Sequence, residues 1–168
     1  LTMKIPNAEI GYIYRNTIRE WFEQRIKAED LTPMYRAVLS GNAEMFEDIV
    51  KSHLAESISY FDSEERFYHG FLLGLLSPLQ KYDILSNRES GDGRPDIELK
   101  PYDEKEPAVI IEIKHVKQFP QMEKGCREAL RQIGKKRYAD GLLEEGYAKI
   151  VKYGVCFCRK SCKILCGE

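Results

Sequence analysis

The 168-residue chain is predicted to be an α/β domain, a mixed β-sheet flanked by helices and preceded by a helical extension. Three observations predict it. Apolar residues recur at helical spacing through the first third of the chain. Near Tyr82 the pattern switches to short extended runs bounded by Gly and Pro. One long helical stretch then separates three such runs from two more.

The elements follow in order. After Pro6, Asn7 can cap a helix whose apolar residues Ile10, Ile13, Tyr14, Ile18, Trp21 and Phe22 share a face. Thr32-Pro33 opens a short second helix, and Gly41-Asn42 punctuates before a third that runs toward Ser57. From Glu64 to Leu76 the sequence is apolar on almost every side, which marks a buried helix, and Ser77-Pro78 ends it. Extended runs follow at Tyr82 to Ser86, Asp96 to Lys100 and Ala108 to Lys114. Pro120 precedes a helix predicted to run unbroken from Gln121 to Leu143, and Lys149 to Arg159 with Ser161 to Leu165 read as a closing hairpin. Residues 1–58 form the helical extension and 59–168 the α/β domain.

Composition narrows the function classes. With 43% hydrophobic and 32% charged residues the chain can bury a core, and it has no apolar run long enough for a membrane span. It starts at Leu1 without a signal-peptide pattern and is read as an excerpt of something longer. The net charge of -1 supplies no global attraction for polyanions, so any nucleic-acid affinity is local. Five cysteines without a secretory context are read as reduced thiols, which places the protein in the cytoplasm. The spacing of Cys156, Cys158, Cys162 and Cys166 matches no familiar zinc pattern.

The chemistry is concentrated in Gly93-Arg94-Pro95-Asp96-Ile97-Glu98-Leu99-Lys100 and Val109-Ile110-Ile111-Glu112-Ile113-Lys114. Side chains alternate along a strand, so Glu112 and Lys114 share a face, expected to be wet, while Ile111 and Ile113 face a core. A hairpin centred on Glu104, between Pro101 and Pro107, sets Asp96 directly opposite Glu112, with Cβ atoms roughly 5 Å apart. Two carboxylates in that position repel unless a cation joins them, and an all-oxygen site suits Mg²⁺ or Mn²⁺. Such an ion can lower the pKa of a water and offset charge on a phosphodiester in its transition state. Lys114 can orient that water or balance the developing negative charge.

The order Pro-Asp, fifteen intervening residues, then Glu-x-Lys resembles the PD-(D/E)xK phosphodiesterase superfamily. More narrowly, ERFYHGFLLGLL, GRPDIEL, IIEIKH and ALRQIGKKRYA together resemble the C-terminal nuclease-like domain of bacterial AAA-ATPase-like proteins, and PNAEIGYIYRNTIREWF resembles the segment linking it to the ATPase. The resemblance implies a restriction-endonuclease-like fold and a metal-dependent nuclease acting on nucleic acid, DNA in the first instance, as one module of a longer ATPase-containing protein. It implies Asp96, Glu112 and the backbone carbonyl of Ile113 as metal ligands and Lys114 as the catalytic lysine. A further acid is expected from the first domain helix. Glu65 is chosen over Glu64 because it lines up with His69, Leu72 and Leu76, although Glu65 can equally be the capping-box partner of Asp62. Gln132 resembles a glutamine that recurs near such sites. Tyr138, six positions on, departs from the tighter spacing of some relatives and is left out of the site.

Other polar residues have plainer roles. His69 is read as a packed or hydrogen-bonded histidine able to hold Glu65, and His115 should point away from the site. Lys124, Arg127, Arg131 and Lys135 form a stripe opposite Cys126, Ala129, Leu130 and Ile133, read as a solvated face with phosphate contact as its alternative. The alternative to an enzyme is a nuclease-like module that binds nucleic acid or a protein and cuts little. A third reading gives Ala8 to Lys27 and Asn42 to Ser57 a scaffold role, docking on the ATPase region or on a second copy of the chain in a homo-oligomer.

Overall fold

The computed structural model describes residues 20, 22–24, 28–56, 65–86 and 93–168, with the side chains of 65 and 66 outside that description. The first predicted helix, with Ile10, Ile13, Tyr14, Ile18 and Trp21, and the Asp62 cap lie outside the described residues. The chain divides into two compact units, Leu1–Thr32 and Pro33–Glu168, and the second contains the whole sheet.

Five strands, β1 (Tyr82–Ser86), β2 (Ile97–Pro101), β3 (Ala108–His115), β4 (Ile150–Cys158) and β5 (Ser161–Gly167), lie side by side in sequence order. Only β3 and β4 run parallel. The turn between β2 and β3 is closed by Asp103, whose carbonyl accepts from Glu106 N at 3.0 Å and whose side chain accepts from Lys105 N at 3.0 Å. Its register pairs Ile97 with Ile111, Glu98 with Ile110 and Leu99 with Val109. The hairpin is therefore centred on Glu104, and one further step along the ladder sets Asp96 opposite Glu112.

Three helices cover one face of the sheet: α1 (Thr32–Ser40), α2 (Ala43–Glu56) and α3 (Glu65–Leu76). Asn42 caps α2 by accepting from Met45 N at 3.1 Å. Phe46 of α2 packs edge-on against Tyr153, ring centroids 5.3 Å apart, and the Tyr153 hydroxyl donates to Val38 O at 2.8 Å. The buried Glu47 accepts from Ile164 N at 2.8 Å and pairs with Lys163 at 3.2 Å, so its charge is matched. Tyr68 of α3 stacks on Phe157 at 4.5 Å and donates to Arg159 O at 2.7 Å. The apolar face of α2 is thus already engaged by β4 and β5.

A parallel pair needs a crossover, and here it is helical. It differs from the predicted single helix Gln121 to Leu143: a 3-10 turn at Phe119–Gln121 leads into α4 (Met122–Lys135), Arg137 adopts a left-handed conformation (φ 55), and α5 (Tyr138–Glu144) follows. The physical reason is a slip in apolar phase. Leu142 stands nine residues after Ile133, which on one continuous helix is about half a turn out of register. Breaking the helix lets Ile133, Tyr138 and Leu142 all pack on Ala108 and Ile110.

The face of β3 carrying Glu112 also departs from expectation, because it is not wet. The crossover lays α4 and α5 over it, so Ala108 to Ile113 are all buried. Gly125 and Gly154 permit the close approach. A Cβ on Gly154 would overlap the Cys126 carbonyl, and one on Gly125 would overlap Cys156 Sγ. Among the described residues no helix is long and apolar enough to cross a membrane.

Candidate active site

Asp96 ends the loop leading into β2, and Glu112 and Lys114 occupy alternate positions of β3. The backbone N–H of Ile113 donates to Asp96 Oδ2 at 2.8 Å, which fixes the aspartate across the strand gap. The Ile113 side chain points into the opposite core and is buried. On the other side of Glu112, α4 contributes Gln132, whose amide donates to Glu112 Oε1 and whose Oε1 accepts from Lys114 Nζ at 2.7 Å. Lys114 Nζ lies 3.6 Å from Glu112 Oε1. The four residues singled out for chemistry therefore converge, and Gln132 bridges the acid and the ammonium.

Glu112 is only 3% exposed, and its second oxygen, Oε2, is buried with no hydrogen-bond partner. Burial, and after it the charge of Asp96, pushes its pKa up to about 7, against the opposing pull of Lys114 and the hydrogen bonds. A buried carboxylate oxygen without a donor, beside a second carboxylate, is costly unless a cation takes it. The donor set is all oxygen, so the residues present fit a hard divalent ion. Among the described residues no cluster of three or more His, Cys, Asp or Glu assembles. Glu65 begins α3, but its side chain lies outside the described residues.

The two histidines separate as expected. His69, 6% exposed, places Nε2 3.1 Å from the carbonyl of Asp96 and 3.3 Å from Ser86 Oγ, so it holds the strand entry that carries the aspartate. His115 faces the other side, its ring 5.5 Å from that of Tyr68.

Tyr138 is the residue that sequence reasoning missed. It is buried, with its hydroxyl hydrogen-bonded to Gln132; burial raises its pKa, and Glu112 and Asp96 push the same way. Six positions along one helix are about 240° apart, which argued against this partnership. The left-handed turn at Arg137 restores it. The slip in apolar phase was the available signal.

Lys124, Arg127, Arg131 and Lys135 are all exposed, and Lys124 and Arg127 are matched along the helix by Glu128 (4.0 Å) and Glu123 (2.7 Å), as a solvated face would be. The cysteines are free thiols, four of them buried, and burial raises the pKa of Cys126, Cys156 and Cys162, which makes them poor nucleophiles.

A family model described as the PD-(D/E)XK nuclease superfamily matches residues 63–166, from the start of α3 to the end of β5. No curated protein and no solved structure matches the chain. The matched span covers well over half of the sequence, and the mixed five-stranded sheet flanked by helices is the restriction-endonuclease-like arrangement. On that extent of agreement the chain belongs to the PD-(D/E)XK nuclease superfamily, whose members are generally nucleases that use divalent metals such as Mg²⁺.

Proposed function

We propose that this chain hydrolyses phosphodiester bonds of nucleic acid, DNA in the first instance, with Mg²⁺ or Mn²⁺, as the nuclease module of a longer ATPase-containing protein in the cytoplasm. The observation that carries the reading is the partnerless, buried Glu112 Oε2 beside Asp96, with Lys114 tethered next to them. Asp96, Glu112 and the Ile113 carbonyl would hold the ion, with Glu65 as a further acid. When bound, it supplies charge neutralisation and Lewis acidity toward phosphate oxygens. Lys114 brings an ammonium to the same face, suited to orienting the attacking water or offsetting charge on the phosphate. Gln132 keeps that ammonium in place, and Tyr138 buttresses Gln132. Within residues 1–58, the part ahead of α1 serves in this reading as the link to the ATPase region, or as a docking surface for a second copy, since α1 and α2 are packed on the sheet.

Cleavage of single-stranded, duplex and branched substrates with Mg²⁺ or Mn²⁺ tests the proposal. Removing one such electrostatic group is expected to lower kcat by roughly 100-fold or more, so Asp96→Ala, Glu112→Ala and Lys114→Ala should each be nearly inert. Full activity in Lys114→Ala, or no cleavage of any substrate with either metal, contradicts it. Salt-dependent binding that survives Asp96→Ala and Glu112→Ala in a chain that cuts nothing would instead identify a nuclease-like binding module.

A further inference from the structure

A cleft of about 330 Å³ opens beside the carboxylate pair, between β2 and α5. Its lining includes Glu98 and Lys100 from β2, Tyr138 and Gly141 from α5, and the guanidinium-bearing Arg94 and Arg137. The cleft and the site share a wall. Glu98 follows Asp96 on the same side of the strand, roughly 7 Å along it, and Tyr138 lines the cleft while its hydroxyl meets Gln132. At the base of the cleft Lys100 is held between Glu145 (2.7 Å) and Glu98 (3.2 Å).

Gly141, exposed on α5, also lines the cleft, and a Cβ added there would meet nothing within 4 Å, so a larger side chain can be placed at this wall without disturbing the fold.

We propose that this cleft seats one unpaired nucleotide of the strand being cut, next to the bond that breaks, so that the substrate is single-stranded at that point. The inference rests on the nuclease reading above for the position of that bond. The volume stands at the small end of ligand sites and suits one nucleotide taken out of its stack. Glu98 and Lys100, which pair with each other at 3.2 Å, can exchange that contact for the edge of a base, and Arg94, exposed on its loop, brings a forked donor for a flanking phosphate, while Tyr138 is buried and the Arg137 guanidinium is engaged by Asp140.

Fluorescence anisotropy of the intact chain tests this, with labelled single-stranded DNA, single-stranded RNA and blunt duplex DNA of one sequence. Ca²⁺ replaces Mg²⁺ as a hard ion with the same taste for oxygen. The single strands should bind more tightly than the duplex, and the better of the DNA and RNA arms identifies the sugar. Gly141→Phe fills the cleft and should weaken single-strand binding roughly tenfold by excluding the seated nucleotide, without lowering Tm. Gly134→Phe, at another open helical glycine that does not line the cleft, should bind as the parent does. If Gly141→Phe fails to fold, Arg94→Ala, on an exposed loop, should weaken binding several-fold in its place. Unchanged binding in the folded cleft variant, preference for blunt duplex, or no binding by the parent chain overturns the proposal. A chain that binds single strands through the cleft but cuts nothing removes the nuclease reading and keeps the subsite. One that cuts with an unchanged KM in Gly141→Phe removes the subsite and keeps the nuclease.

Discussion

At Glu112 the protein holds a carboxylate where its own stability does not favour one. Its pKa stands at about 7 in the folded chain, against 4.5 ordinarily. Between those values the folded state carries a proton that the unfolded state lacks, so this group's contribution to stability falls as pH rises from about 4.5 through about 7. In metal-free buffer at pH 8, Glu112→Gln should therefore be more stable than the parent by roughly 1–3 kcal/mol, with the gap closing toward pH 5. Thermal denaturation in EDTA across that range checks it. Mn²⁺ should then raise the Tm of the parent and leave that of Glu112→Gln unmoved. A variant less stable than the parent at pH 8 would mean that Glu112 is structural. This residue was legible in the sequence as one acid of a facing pair, since alternation and the hairpin midpoint at Glu104 are local properties. Its burial was not legible, because it depends on a helix that arrives from residues 122–135.

The elements position the site through close approach and through one break. α4 carries Gln132 to Glu112 only because Gly154, the parallel partner of Glu112, and Gly125 leave room for the helix. Gly154→Ala forces its Cβ against the backbone carbonyl of Cys126, which cannot swing aside as a side chain can. The expected cost is roughly 1–3 kcal/mol in stability, seen as a lower denaturation midpoint, together with a loss of kcat larger than the loss of binding, because Gln132 is displaced. Unaltered kcat in a folded Gly154→Ala would separate Gln132 from the chemistry. All five strands were readable from Gly, Pro and alternation near their observed bounds. The break at Arg137 was marked only by the slip in apolar phase between Ile133 and Leu142, since Lys135-Lys136-Arg137 contains neither Gly nor Pro and the left-handed turn is imposed by tertiary packing of Tyr138 and Leu142. The parallel pairing of β3 with β4 was equally hidden, and from it came the expectation of a wet face where the structure has a covered one.

For the whole molecule, the near-zero net charge set against the proposed nucleic-acid substrate confines attraction to local groups. Phosphate contacts should accordingly be few. Single-strand affinity should fall with salt at a slope of about 0.7 per phosphate contacted, for a total of about two to three on a double-logarithmic plot. A much steeper slope would bring the α4 stripe of Lys124, Arg127, Arg131 and Lys135 into contact with the backbone. At this scale the sequence conveyed the α/β class, the mixed sheet flanked by helices and the family resemblance, while which helices cover which face of the sheet came only from the structure. The measurement that bears most directly on the whole account is an anomalous difference map from crystals of the chain soaked in Mn²⁺. The account predicts a single strong peak between Asp96 and Glu112, in contact with Glu112 Oε2 and lost in Glu112→Gln; an empty space there at millimolar Mn²⁺, or a peak elsewhere alone, would contradict it.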